Sequence, residues 1–260
     1  VGDLESRGDL VPVARLVSAP RDSAPPPAEP WKLYRSVLGS LALVAAGIVG
    51  YFVVQVIGGV FVAIWLLLNG TPVSALNEGA LAPYLPTMIA FSPLASLAIL
   101  GALAFTRQLA PDPREPRASL ATSLVVAIVS AAATIGGAEA LSHIQMRLGI
   151  KTEEQSVILE AFKVCPRWML YGAVAFLAPL GEELLFRRFA FATLKIGTNR
   201  FVAYAITALV FATVHLNFSA FFSYLLIGLG TAFAYDRTGR IEAAIAVHAI
   251  NNGFAVFMNA

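Results

Sequence analysis

Cysteine is all but missing from this chain of 260 residues, where Cys165 stands alone. That excludes an intramolecular disulfide framework and a multi-cysteine zinc site, and leaves a buried, inert thiol as the default. Charge is scarce too. Asp, Glu, Lys and Arg make up 13% of the residues against 58% hydrophobic, where soluble domains carry about 25% charged. With a mean hydropathy of +0.74, the chain does not read as an ordinary water-soluble enzyme. The formal net charge of +2 is too small for a nucleic-acid surface, which needs a concentrated basic field. Histidine is limited to His143, His215 and His248.

What the chain has is long apolar runs. Val37 to Leu68 is almost uninterrupted, broken only by small residues, Ser40 and Gln55, and a run beyond about 18 apolar residues is a candidate membrane span. Further runs cover 84–106, 120–142, 168–194, 201–216, 220–235 and 241–258. The expectation is an all-α, polytopic membrane bundle of about seven spanning helices. Residues 1–30, with mixed charges and Pro25-Pro26-Pro27, read as a disordered tail. They do not read as a signal peptide, because the apolar run begins only at Val37 and is too long. Residues 31–164 read as N-terminal helices plus an interfacial helix, since 147–167 mixes Val157, Ile158, Phe162 and Val164 with charges. Residues 165–260 read as a C-terminal helical core.

Lysine and arginine placement sets an expected orientation. With the N-terminus inside, the inner flanks hold Lys32, Arg35, Arg107, Arg114, Arg117, Lys195, Arg200, Arg237 and Arg240, and the outer loops hold Arg147, Lys151, Lys163 and Arg167. The excess favours the N-terminus inside, in a plasma or inner membrane. All four dissenters lie in the interfacial stretch, which weakens the vote.

A charge inside a span costs about 2.5–3.5 kcal/mol at a helix centre on insertion scales and is a functional-site hypothesis by default. Glu182, Glu183, Arg187 and Arg188 are concentrated in one apolar segment. Glu183 and Arg187 stand i to i+4, so Arg187 can hold Glu183 ionised while Glu182 on a neighbouring face acts on water. The competing reading is a helix end with snorkelling arginines. His215 closes one apolar helix; His248 and Asn252 share a face of another, with Asn251 between. These groups should converge, because hydrocarbon offers no other partners. A Glu and a His can activate water, and a His and an Asn can donate to an oxyanion. The same Glu182, His215 and His248 also suit three ligands of a metal such as zinc. His143, four residues after Glu139, is read as a local pair, Cys165 as structural, and Gly136, Gly137, Gly228 and Gly230 as close-packing points. Pro179 is expected to bend its helix and free carbonyls.

Glu182-Glu183-x-x-x-Arg187, Phe211-x-x-x-His215 and His248-x-x-x-Asn252, in this order and in apolar helices, resemble the CAAX protease and bacteriocin-processing (CPBP or Abi) family of intramembrane endopeptidases. The segments 238–241 and 248–252 also look like the family's last motif, and the likeness covers roughly 165–260. It implies cleavage of peptide bonds near a membrane-bound or lipidated substrate terminus. Glu182 would be the general base with His215, His248 and Asn252 would form the oxyanion hole, and Glu183 and Arg187 would support them. A metal-free mechanism is favoured, because Asn252 is a poor zinc ligand and a good oxyanion donor; zinc is the alternative. Two departures from the family pattern, Arg188 after the motif arginine and Glu242 where an aromatic is common, point to altered substrate access. A non-proteolytic immunity or scaffold protein of the same fold is the alternative function. A transporter with an ionisable relay fits less well, because the first three spans look nearly devoid of polar groups. One tension stands: counted along ideal helices, His215 and His248 lie at different depths, so their convergence requires tilt, a short fifth helix starting deep, or shifted boundaries.

Overall fold

The computed structural model describes residues 32–114, 116–150 and 156–259, and the expected tail and residues 151–155 of the interfacial stretch lie outside them. Eight main helices run in chain order: α1 Val37–Leu68, α2 Leu85–Phe105, α3 Leu120–Arg147, α4 Ser156–Val164, α5 Arg167–Gly197, α6 Arg200–Val214, α7 Phe221–Thr238 and α8 Ile241–Asn259. No strand occurs among the described residues. Starts are set by side-chain caps: Ser36, Ser119 and Asn199 accept from the backbone N–H groups of Gly39, Thr122 and Val202, satisfying donors a helix start leaves open.

All seven expected spans form helices, and α1, the 79–105 helix, α3, α5 and α8 are long and apolar enough to cross a membrane. α6 has 15 residues, about 22 Å at 1.5 Å per residue and short of the roughly 30 Å hydrocarbon core. α7 closes on Asp236, Arg237 and Thr238, which dilutes its apolar length. The count by length and composition is thus five rather than seven.

α7 packs on α3, α6 and α8, while α5 lies between α1 and α2 on one side and α8 on the other. The core is aromatic at its centre, where Phe186, Phe189 and Phe191 of α5 meet Phe211 of α6, Tyr235 of α7 and Tyr51 of α1. Small residues let the helices close: a Cβ on Gly228 would lie 3.0 Å from the Ala208 Cα, and one on Gly230 would lie 2.5 Å from a Thr134 methyl. Gly136 faces open space instead. Cys165 is buried beside Ala82, Ala161 and Leu170.

The Pro-rich connection 106–119 is a strap rather than a loose linker. Arg188 donates to the Ala110 carbonyl (2.7 Å) and pairs with Asp112 (3.3 Å), and the Tyr235 hydroxyl donates to Asp112 (2.7 Å). Lys195 donates to the Pro113 carbonyl (2.8 Å), and Ala118 and Thr238 join through their backbones at 2.8 Å. Gly239 ends α7 with φ of 66°, and a Cβ there would lie 2.5 Å from the Arg114 carbonyl oxygen. Leu33 donates to Gln108 at 2.8 Å and Lys195 pairs with Asp236 at 2.6 Å, so the segments expected on the inner side do meet at one end of the bundle.

Candidate active site

α5 carries both glutamates and departs from α geometry on either side of them. Residues 171–177 and 184–191 are π-helical, flanking a regular turn at 178–183, and such wide turns recur at functional sites. Pro179 explains part of this. The Ala178 N–H bonds the Ala173 carbonyl five residues back, and proline has no N–H to offer. The Val174 carbonyl is therefore left without a helical donor at four- or five-residue spacing, and the Asn252 amide donates to it at 2.9 Å. Freed carbonyls were the expected effect of Pro179. Gly181 lets α5 touch α2: a Cβ would lie 2.0 Å from Ser92 Oγ and 2.5 Å from Pro93 N, and the Ser96 hydroxyl donates to the Gly181 carbonyl at 2.6 Å.

The two glutamates have separate surroundings. Glu183 and Arg187 are fully buried, with Arg187 Nε 3.0 Å from Glu183 Oε2, the i to i+4 pair that their spacing predicts. The contact is an ion pair outside hydrogen-bond alignment, since neither atom has a hydrogen-bond partner. Arg187 Nη2 donates to the Gly228 carbonyl (3.1 Å) and to Thr231 Oγ1, and the guanidinium lies 5.0 Å from the Phe211 ring centroid. On its other oxygen Glu183 accepts from His248 Nδ1 at 2.8 Å. A snorkelling helix end does not describe this pair, because Arg187 points into the core.

Glu182 faces both histidines. Its Oε2 lies 3.7 Å from His215 Nε2 and 4.0 Å from His248 Nε2, and the Glu182 and His215 side chains keep 19% and 20% exposure. His215 Nδ1 donates to the Phe211 carbonyl at 2.7 Å; a carbonyl only accepts, so this fixes the proton on Nδ1 and turns Nε2 toward Glu182. Phe211 lies between the histidines, with centroids 4.7 Å from His215 and 5.5 Å from His248, and Tyr224 stacks on His215 at 4.1 Å and 19°. Glu182 and His215 meet across a hairpin. Glu182 stands fifteen residues before Gly197 and His215 fifteen after Arg200, so antiparallel α5 and α6 bring them level.

Glu182, Glu183, Arg187, His215 and His248 thus come together, while the described hydrogen bond of Asn252 goes to Val174. A zinc centre with bonds of about 2.0–2.1 Å sets tetrahedral ligand atoms about 3.3 Å apart. The Glu182 to histidine separations are wider, and among the described residues no group of three His, Cys, Asp or Glu is placed to hold a metal ion. His143 is exposed on α3, apart from the site. Arg188 is tied to Asp112 and the strap, and Glu242 is exposed at the start of α8.

Sequence reasoning missed a polar seam from the supposedly apolar spans. The Tyr51 hydroxyl and Ser92 Oγ are 2.6 Å apart, Gln55 donates to Tyr51 at 3.1 Å, and Tyr51 lies within electrostatic reach of Glu182. The signal was Tyr51 and Gln55 at i, i+4 inside an apolar run. Also unread was Asn251, whose amide bonds Thr134 Oγ1 at 2.9 Å and fastens α8 to α3.

Residues 165–254 match the family model described as type II CAAX prenyl endopeptidase Rce1-like. YdiL of Bacillus subtilis, named as a membrane peptidase, is 30% identical over 123 residues, covering 47% of this chain and 50% of the relative. The membrane-embedded CAAX protease MroQ of Staphylococcus aureus is 36% identical over 89 residues, 32% of this chain and 36% of the relative. The UPF0177 protein YbdI of Lactococcus lactis is 26% identical over 100 residues, 38% and 52% respectively. The chain spans about half the length of the first of these relatives, and no solved structure matches it. With five helices long and apolar enough to span, this is an integral membrane protein, and its residues 165–254 are similar to the Rce1-like CAAX-type membrane peptidases.

Proposed function

We propose that the chain is an intramembrane endopeptidase that hydrolyses a peptide bond near a membrane-bound or lipidated substrate terminus. The observation that carries the reading is the approach of Glu182 Oε2 to both histidine Nε2 atoms, at 3.7 and 4.0 Å, beside a fully buried Glu183–Arg187 pair. Glu182, with His215, takes a proton from water, and the oxygen attacks the peptide carbonyl carbon. His248, oriented through Nδ1 by Glu183, presents Nε2 to the reacting space and in its imidazolium form donates to the oxyanion there. The Asn252 amide has two N–H donors; one goes to Val174 and the second serves the oxyanion. Glu182 then returns the proton to the leaving amine, the C–N bond breaks, and acid and amine products result. The N-terminus lies on the inner side of a plasma or inner membrane in this reading.

The test is cleavage by detergent-purified wild type and Glu182→Gln against prenylated and unprenylated peptides, with mass spectrometry of products and metal analysis of the same sample. Products from wild type alone are expected. Equal cleavage by Glu182→Gln would remove the mechanism, stoichiometric metal would replace it with a metal-assisted one, and no product from either protein would favour the immunity or scaffold reading.

A further inference from the structure

The end of the bundle closed by the strap sorts its charge. Two acids turn inward while Glu242 stays exposed: Asp236, 4% exposed, is held by Lys195 (2.6 Å) and Arg200 (3.0 Å), and Asp112 is held by Arg117, Arg188 and Tyr235. Positive groups turn outward: Arg35, Arg107, Arg114, Arg117, Arg200 and Arg237 are all exposed. Among the described residues Arg35, Arg107 and Arg237 have no acidic partner within ion-pair distance. Inward consumption of the acids leaves an unbalanced positive rim.

A second observation says what kind of anion suits it. Four of these cations stand beside an exposed apolar residue: Phe105, 90% exposed, is two residues from Arg107, and Phe201, 81% exposed, adjoins Arg200. Leu33 is exposed two residues before Arg35, and the Arg237 guanidinium lies 6.0 Å from the ring centroid of the exposed Phe233. A water-soluble polyanion would engage the arginines and leave the phenylalanines in water. A phospholipid meets both, with acyl carbons against the rings and phosphate against the guanidiniums. Arg107 also holds a left-handed φ of 57°, a conformation that glycine adopts at no steric cost, so the arginine occupies that position in spite of its backbone.

We propose that this rim is a binding surface for anionic phospholipid headgroups, engaged by Arg35, Arg107 and Arg237. None of the three touches Glu182, His215 or His248, so the inference stands apart from the proposed peptidase activity. To test it, the full chain in detergent is mixed with equal amounts of phosphatidylglycerol and phosphatidylcholine, and retained lipids are counted by native mass spectrometry. Preferential retention of phosphatidylglycerol is expected, falling by roughly fivefold per arginine in the Arg35→Gln, Arg107→Gln, Arg237→Gln triple variant. Lysine at the same three positions keeps the preference, as does Arg147→Gln with Lys163→Gln at other positions. Should the glutamine triple not fold, Arg237→Gln alone against Arg237→Lys carries the same comparison. Equal retention of both lipids by wild type, an unchanged preference in the glutamine variants, or inorganic polyphosphate binding as tightly as phosphatidylglycerol would overturn it.

Discussion

Two carboxylate clusters in this molecule use the same residue types and treat them differently. At the strap end, Asp236 has Lys195, Arg200 and Tyr204 around it, and Asp112 has Arg117, Arg188 and Tyr235. In the middle of the bundle, Glu182 Oε2, Glu183 Oε2, and Arg187 Nε and Nη1 are buried without a hydrogen-bond partner. Fully satisfied clusters fasten helices; buried polar atoms left short of partners mark places kept for another purpose. The difference separates a fastening from a working site without reference to any relative.

The comparison is broken most severely at Arg187. Arg187→Ala leaves the buried Glu183 carboxyl without its ion-pair partner, with an expected loss of about 3–5 kcal/mol in unfolding from detergent; adding Glu183→Leu should recover most of it, and a single-variant loss below about 1 kcal/mol would show that the pair is not what holds α5. Next come Gly181→Ala and Asn252→Ala. A Cβ on Gly181 would lie 2.0 Å from Ser92 Oγ, and such overpacking costs about 1–3 kcal/mol, visible as a lowered unfolding midpoint. Asn252→Ala orphans the Val174 carbonyl, also about 1–3 kcal/mol, and Pro179→Ala should restore stability by returning an N–H. If Asn252 is also an oxyanion donor, peptide cleavage stays about 10²- to 10³-fold down in the double variant; recovery of both would make Asn252 a fastening only.

The smallest effect is at the strap. Arg117→Ala should shift the unfolding midpoint least of these variants, because half of the Arg117 side chain faces solvent and water screens its pair with Asp112. Burial pushes the Asp112 carboxyl up, but hydrogen bonds from Tyr235 and Arg117 and the charges of Arg188 and Arg117 outweigh it and hold it below the usual carboxylate range. A carboxyl lowered in the folded state contributes stability above its unfolded value of about 3.9 and loses it as pH falls through the folded value. Acidification below about pH 4 should therefore loosen 106–119, read by hydrogen exchange corrected for intrinsic rate, and Asp112→Asn should remove that pH step.

Spacing alone made much of the site legible. Glu183 and Arg187 at i, i+4 and the scarcity of polar groups near His215 and His248 led to the cluster, because buried polar groups in hydrocarbon have only one another. Partner choice within it was not legible: that His248 turns Nδ1 to Glu183 depends on how α8 crosses α5, which no local pattern encodes. Nor were the π-helical turns, whose bonding differs from α by one residue while the apolar pattern is unchanged. The strap read as a linker because its contacts run through backbone carbonyls at Ala110, Pro113 and Ala118, and carbonyls are present in every sequence.

The equal arms of the α5–α6 hairpin make length a heritable constraint of its own. One residue added between Glu182 and Gly197 would swing the carboxylate by roughly 100° about its helix axis while leaving His215 in place, so a gain in one arm cannot be absorbed locally. Insertions and deletions should be excluded from both arms, and a deep insertion scan would trace the hairpin as two fifteen-residue rulers meeting at the Gly197–Arg200 turn.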